Sequence, residues 1–225
     1  MSLKDSKWDN LIVDDHVNSS LYIGQTMPAK KMAPRKPPKP PKRSRLRRLS
    51  CKTVYKGKVF SVTADRVVEP SGVTATREVI RHSGSVVILA VDDTGREPRV
   101  LLEKQYRYAA NDYLWELPAG RIDPGENALT GAKREILEET GYCARRWKRA
   151  LFFYPSPGFL DETMTVYLAA GLTAGKAQPE DDEVIECQLI PLSRAVGMIL
   201  SGRIRDAKTI ASVLWLAETR RRSLA

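Results

Sequence analysis

Alternation of β-branched with polar residues begins at Cys51 and runs through CKTVYKG, KVFSVTADRVVEP and VTATREVIRH, with a Pro70-Ser71-Gly72 turn between the last two. A period of two predicts strands, and the short turn predicts an antiparallel meander. SVVILAVDD follows as a nearly unbroken apolar run, the pattern of a strand covered on both faces. Asp93-Thr94-Gly95 turns the chain into a further strand, RVLLEKQYR, and Leu114–Pro118 reads as a short extended piece. The period then changes. A helix is expected from Asn127, after Pro124-Gly125, to Gly141, with Leu129, Ala132 and Ile136 as its apolar stripe and the glycine ending it. Trp147–Tyr154 and Thr163–Leu172 read as strands joined by the loop PSPGFLDE, and Val184–Ile190 as a shorter one. Asp206 caps a final helix through Ile210, Val213, Leu214 and Ala217 that closes on Arg220, Arg221 and Arg222. Strands before, between and after two helices predict a layered α/β domain.

Composition changes the picture only at the N-terminus. Met1 to Leu49 has neither period, and APRKPPKPPKRSRLRR is expected to stay extended and solvated. Residues 1–49 therefore read as a disordered basic tail, and 50–225 as the domain, divided into a meander (50–82) and a core (83–225). The net charge of +10 comes from 37 basic and 27 acidic residues. Ten of the basic ones lie between Lys30 and Arg48, and removing them leaves 27 against 27. Contact with nucleic acid is thus confined to the tail, through phosphate charge alone, because no aromatic residue is interleaved for base stacking.

Three cysteines, with no close pair, predict neither a disulfide framework nor a zinc site. Cys143 and Cys187 fall in apolar strand patterns and are expected to be inert packing. No apolar run approaches the roughly 18 residues of a membrane span, and the acidic start is unlike a secretory signal. A cytoplasmic protein without membrane contact is expected.

The chemistry is concentrated in GRIDPGENALTGAKREILEETGY, Gly120 to Tyr142. Residues three and four apart share a helix face, so Glu135, Glu138 and Glu139 point the same way and repel unless a positive charge, most simply a divalent cation, sits among them. Gly120, five residues, Glu126, seven residues, then REILEETGY satisfies every fixed position of the Nudix box, and the chain resembles the Nudix hydrolases. Chance agreement is on the order of one in a billion per start position, which separates this match from a lone glycine motif.

The resemblance implies a Nudix-type α/β/α sandwich with a mixed sheet behind the meander, and Mg²⁺-dependent hydrolysis of a nucleoside diphosphate linked to another group, with Mn²⁺ a possible substitute. It implies that Glu135 and Glu139 are metal ligands, joined by Glu138 and the carbonyl of Ala119. It further implies that Arg134 orients a glutamate by a charged hydrogen bond. Glu126, at the helix entrance, reads as structural, and Gly120 and Gly141 as backbone residues.

Pro157, sixteen residues after Gly141, together with EKQYRYAANDYLWELPAG and GRIRDAKTIASVLWL, resembles the ADP-ribose pyrophosphatase subgroup over about Thr53 to Leu216. That resemblance implies ADP-ribose cleavage to AMP and ribose 5-phosphate by a homodimer paired through its N-terminal sheet. Glu162 is then the general base, with Asp161 in reserve. Arg107 is the phosphate ligand, and Glu116, Pro157 and Gly158 are further substrate contacts. Lys104 and Arg121 are weaker candidates and read as surface charges. Tyr106, Tyr108, Tyr113 and Trp115 are expected mostly in the core. His16, in the tail, and His82, at a strand end, are not expected to act as bases. GDP-mannose or another nucleotide sugar is the competing substrate, and a nucleotide-sensing or RNA-associated binding protein the competing class.

Overall fold

The computed structural model describes residues 45–177 and 184–223. The expected tail falls almost wholly outside the described residues, but its last three are not tail: Arg47, Arg48 and Leu49 open strand β1 (Arg47–Lys56). Pairing explains the early start. β1 runs antiparallel to β2 (Ser61–Val68), with Arg47 opposite Val68, so a partner's hydrogen bonds extend it beyond its own alternation. β3 (Thr74–Arg81) completes the expected meander, after a turn in which Gly72 takes φ +88° and the Glu69 N–H donates to the Val73 carbonyl at 2.8 Å.

The second sheet has seven strands: β4 (Ser85–Asp92), β5 (Arg99–Arg107), β6 (Asp112–Glu116), β7 (Ala119–Arg121), β8 (Tyr142–Phe153), β9 (Met164–Ala174) and β10 (Ile185–Pro191). Their order is β10-β5-β4-β9-β8, with β6 on β5 and β7 on β4. β4 and β9 are parallel, from Ser85↔Met164 to Val91↔Ala170, so the sheet is mixed.

β4 is buried from Ser85 to Val91, as its unbroken apolar pattern predicts, and its two faces feed two cores. Val86, Ile88 and Ala90 pack with Ala132 and Ile136 of helix α1 (Ala128–Thr140). Val87, Leu89 and Val91 pack with Leu192, Ala195 and Met198 of α2 (Leu192–Leu200) and Val213 and Leu216 of α3 (Ala207–Ser223). Full burial of each large aliphatic side chain contributes about 1.5–3 kcal/mol, which makes β4 the axis of the α/β/α sandwich. α2 corrects the expectation of two helices. Its apolar positions stand at helical spacing, but Gly197 interrupts them and Pro191 at the N-cap offers no side-chain cap.

One edge of β4 is shared by two partners. β5 pairs with it only at Val91↔Val100 and Asp92↔Arg99, while β7 takes the other end at Ser85↔Arg121, Val86↔Gly120 and Val87↔Ala119. Where β5 departs, β7 enters, and this brings Ala119 and Gly120 beside the start of β4.

Candidate active site

Helix α1 is defined by local chemistry. The Asn127 Oδ1 accepts the Thr130 N–H at 2.9 Å, and Gly141, at φ +71°, ends the helix as expected. Arg134 is its electrostatic hub. Its Nε and Nη2 donate to the two oxygens of Glu126 at 3.1 and 3.0 Å, its Nη1 to Glu135 at 2.8 Å and Glu138 at 2.9 Å, and its Nη2 also to the Arg121 carbonyl at 3.2 Å. Bonding to Glu126 above all holds the guanidinium far above the ordinary arginine range, and the same bond holds the Glu126 carboxyl below its usual value. Part of the repulsion anticipated among the glutamates is thus relieved by arginine. Glu139 turns the other way: it is buried, and its Oε2 accepts the Ala119 N–H at 3.1 Å.

Gly120 is glycine because Glu135 needs its space. A β-carbon there would lie 2.0 Å from the Glu135 carboxyl carbon. Ala119 and Gly120 also form one side of a cavity of about 210 Å³, whose other walls include Ser85, Glu162, His82, Arg107 and Lys208. Glu135, Glu138 and Glu139 are not among its lining residues, but the first lies against Gly120 and the third accepts the Ala119 N–H.

The loop before β9 docks on the end of β3. The Ile80 N–H donates to the Phe159 carbonyl at 2.8 Å, and the Asp161 N–H to the Ile80 carbonyl at 3.0 Å. Glu162 then faces the cavity, its Oε1 accepting from the Ser85 hydroxyl at 2.5 Å and lying 3.7 Å from His82 Nδ1, which itself accepts the Gly84 N–H at 3.1 Å. Both oxygens of Asp161 are engaged elsewhere: Oδ1 by the His82 N–H at 2.8 Å, Oδ2 by Arg81 at 3.0 Å. Pro157 and Gly158 are exposed and outside the cavity.

On the opposite wall Arg107 donates Nε and Nη2 to the two oxygens of Glu116, each at 2.9 Å, and Lys208 bonds the same carboxylate. Glu116 is 2 % exposed and does not reach the cavity; it anchors two cations that do. Burial pushes its carboxyl up, but Arg107 and Lys208 outweigh that, and the net shift is downward. α3 delivers Lys208 after Asp206 caps it, Oδ2 accepting the Thr209 N–H at 2.9 Å.

The NUDIX domain model matches residues 81–213. This chain belongs to the NUDIX family. An ADP-ribose pyrophosphatase of Bacillus subtilis is 35% identical over 165 residues, 72% of this chain and 88% of that protein. An ADP-ribose pyrophosphatase of Mycobacterium tuberculosis is 38% identical over 169 residues, 74% and 80% of the two chains. A GDP-mannose pyrophosphatase of Salmonella arizonae is 32% identical over 152 residues, 62% and 76%.

The NUDIX match takes in both walls of the cavity, while β1 and β2 precede it. Four NUDIX cavity residues escaped the sequence reading: His82, Ser85, Met164 and Lys208. His82 was set aside as a strand-end residue, yet the loop's pairing with β3 carries that strand end into the wall. Lys208 carried no local signal beyond its place in DAKT, because its partner Glu116 lies 92 residues away. Other expectations are corrected. All three cysteines are exposed, so Cys143 and Cys187 are not core packing. Tyr106, Tyr108 and Tyr113 are exposed around the β5–β6 hairpin rather than in the core, whereas Trp115 packs against it. Lys104 lies over the Tyr113 ring at 5.5 Å, and Arg121, on the cavity wall, donates to the Lys58 carbonyl. Among the described residues no helix is long and apolar enough to cross a membrane, and no three acidic, histidine or cysteine side chains are gathered as a ready metal cage.

Proposed function

We propose that this NUDIX hydrolase cleaves the diphosphate of a nucleoside diphosphate sugar, with ADP-ribose as substrate and AMP and ribose 5-phosphate as products. One observation carries the reading. Ala119 and Gly120 are in contact with Glu139 and Glu135 and also line a cavity that bears Arg107, Lys208 and Glu162. At about 210 Å³ the cavity is smaller than the roughly 300–1,000 Å³ of whole-ligand pockets, a size that suits the reacting diphosphate. The two pyrophosphatases similar to this chain support ADP-ribose. The Salmonella relative supports GDP-mannose as the second reading.

Glu135, Glu138, Glu139 and the Ala119 carbonyl are the groups that would hold Mg²⁺, or Mn²⁺ in its place. All are oxygen donors, and Gly120 leaves the Glu135 carboxylate the room a side chain would fill. A hard cation of this kind keeps waters and shares substrate phosphates, so it does not require a closed protein cage. When bound it supplies positive charge to the diphosphate and lowers the pKa of water. The chain's own residues do the rest. Arg134 holds Glu135 and Glu138 in orientation, Glu116 aims Arg107 and Lys208 at phosphate oxygens, and Glu162 takes the proton of the attacking water on Oε2, its Oε1 being held by Ser85.

A panel of nucleotide sugars with Mg²⁺, read as kcat/KM, tests the proposal. ADP-ribose should rank first and chelation should abolish turnover. Activity on none of them sinks the reading, and GDP-mannose in first place selects the second.

The same reading takes in a homodimer joined through the meander. All ten residues of β1 are exposed, Leu49, Val54 and Tyr55 among them. Sedimentation at micromolar concentration should give twice the chain mass. A cytoplasmic setting is supported by the three free cysteines, and the basic tail makes at most a weak, salt-sensitive nucleic-acid contact.

A further inference from the structure

We propose that Arg81 is a positioning residue that clamps the loop carrying Glu162 to the N-terminal sheet, with Asp161 as the loop's half of the clamp. The role in turnover rests on the function proposed above; the clamp itself does not.

Arg81 ends β3 and spends every guanidinium nitrogen on the protein. Nε donates to Thr63 Oγ1 at 3.0 Å, Nη2 to Asp65 Oδ2, and Nη1 to Asp161 Oδ2 at 3.0 Å. Thr63 and Asp65 are buried residues of β2, so the arginine is anchored from the meander side. The loop side is equally engaged. Asp161 Oδ1 takes the His82 N–H at 2.8 Å, and the Ile80–Phe159 and Asp161–Ile80 backbone bonds lay Leu160 parallel to β3. The next residue, Glu162, bonds Ser85 Oγ at 2.5 Å, and the Thr163 carbonyl accepts the Ser85 N–H at 2.8 Å.

Three of Arg81's five N–H donors are spent on the protein and it does not line the cavity, so it holds structure rather than substrate. Asp161, turned to Arg81 and the His82 N–H, does not line the cavity, which leaves Glu162 as the loop carboxylate facing it. The meander is thus part of the catalytic apparatus: it fixes the height of the loop over the Ala119–Gly120 wall, and a displacement near 1 Å at a reacting group costs on the order of 100-fold in rate.

Two readouts on the full chain decide the matter. In Arg81→Gln, amide hydrogen exchange of Phe159 to Thr163 should accelerate roughly tenfold or more while α1 stays protected. Unchanged loop exchange overturns the clamp, whatever the substrate. With ADP-ribose and Mg²⁺, Arg81→Gln should lower kcat roughly 10- to 100-fold with KM within about twofold. The double variant Arg81→Gln/Glu162→Gln should be no slower than Glu162→Gln alone. Multiplicative losses, or a loss confined to KM, overturn the positioning role. Should Arg81→Gln fold poorly, Asp161→Asn, which keeps an acceptor for the His82 N–H, should show the same exchange and kcat pattern at smaller size. Wild type inactive on every nucleotide sugar removes the proposed function, while the exchange result still decides the clamp.

Discussion

The carboxylate wall is shaped within one short stretch, Ala119 to Gly141: Arg134 reaches its three glutamates one, four and eight residues away, and Glu139 takes the Ala119 N–H twenty residues away. The cavity wall and its supports are assembled across the fold: Ser85 meets Glu162 over 77 residues, Arg81 meets Asp161 over 80, and Glu116 meets Lys208 over 92. A helix forces its side chains onto a shared face whatever the rest of the chain does. The cavity wall exists only once β3, β4, β5 and α3 have packed, so it depends on the stability of the whole domain. Damage to the first wall should therefore appear as lost chemistry in a folded protein, and damage to the second as mixed losses of binding and stability.

The largest effect is expected at the helix. Glu135→Gln or Glu139→Gln should lower kcat/KM for ADP-ribose about 1,000-fold in Mg²⁺ with an unchanged melting temperature; retained turnover would break the comparison at its strong end. Next comes Gly120→Ala. The atoms its β-carbon meets are the far end of Glu135, which can swing aside, so the fold should persist while activity drops roughly 100-fold. A melting temperature lowered along with activity would show that wall to be less local than described.

Lys208→Met should destabilise by about 2 kcal/mol, because buried Glu116 keeps only Arg107, and should raise KM. Denaturant unfolding and steady-state kinetics together measure it. The smallest effect is in the acid range. Glu116 is depressed in the folded state, so its contribution is present above the unfolded carboxyl value and lost as pH falls through the folded one. The stability gap between wild type and Glu116→Gln should close as pH drops below about 4. A gap that persists there would assign it to packing instead of charge.

Much of the fold was legible for the same reason as the first wall. The helix limits at Asn127 and Gly141, the doubly covered β4 and the Asp206 cap follow from periodicity and capping within a few residues. What escaped was set by partners distant in sequence. β1 starts at Arg47 because β2 extends to Val68, and α2 forms over a glycine because Leu192, Ala195 and Met198 complete a core opened by β4. The same holds in the site. Ala119 was readable as a carbonyl beside the box, but its place in β7 depends on β5 leaving the edge of β4.

The sequence by itself determined the family, the helix and the set of carboxylates on it, because box spacing, helical period and capping act within a few turns of chain. Only the tertiary structure decided which way those carboxylates turn, that Glu116 is an anchor rather than a cavity residue, that Asp161 faces Arg81 while Glu162 faces the cavity, and that His82 and Lys208 stand beside them. The turn of Glu139 depends on Ala119, twenty residues away, and the other outcomes on hydrogen bonds and burial between residues some 80 to 90 positions apart, contacts for which neither a period of two nor one of 3.6 carries a signal.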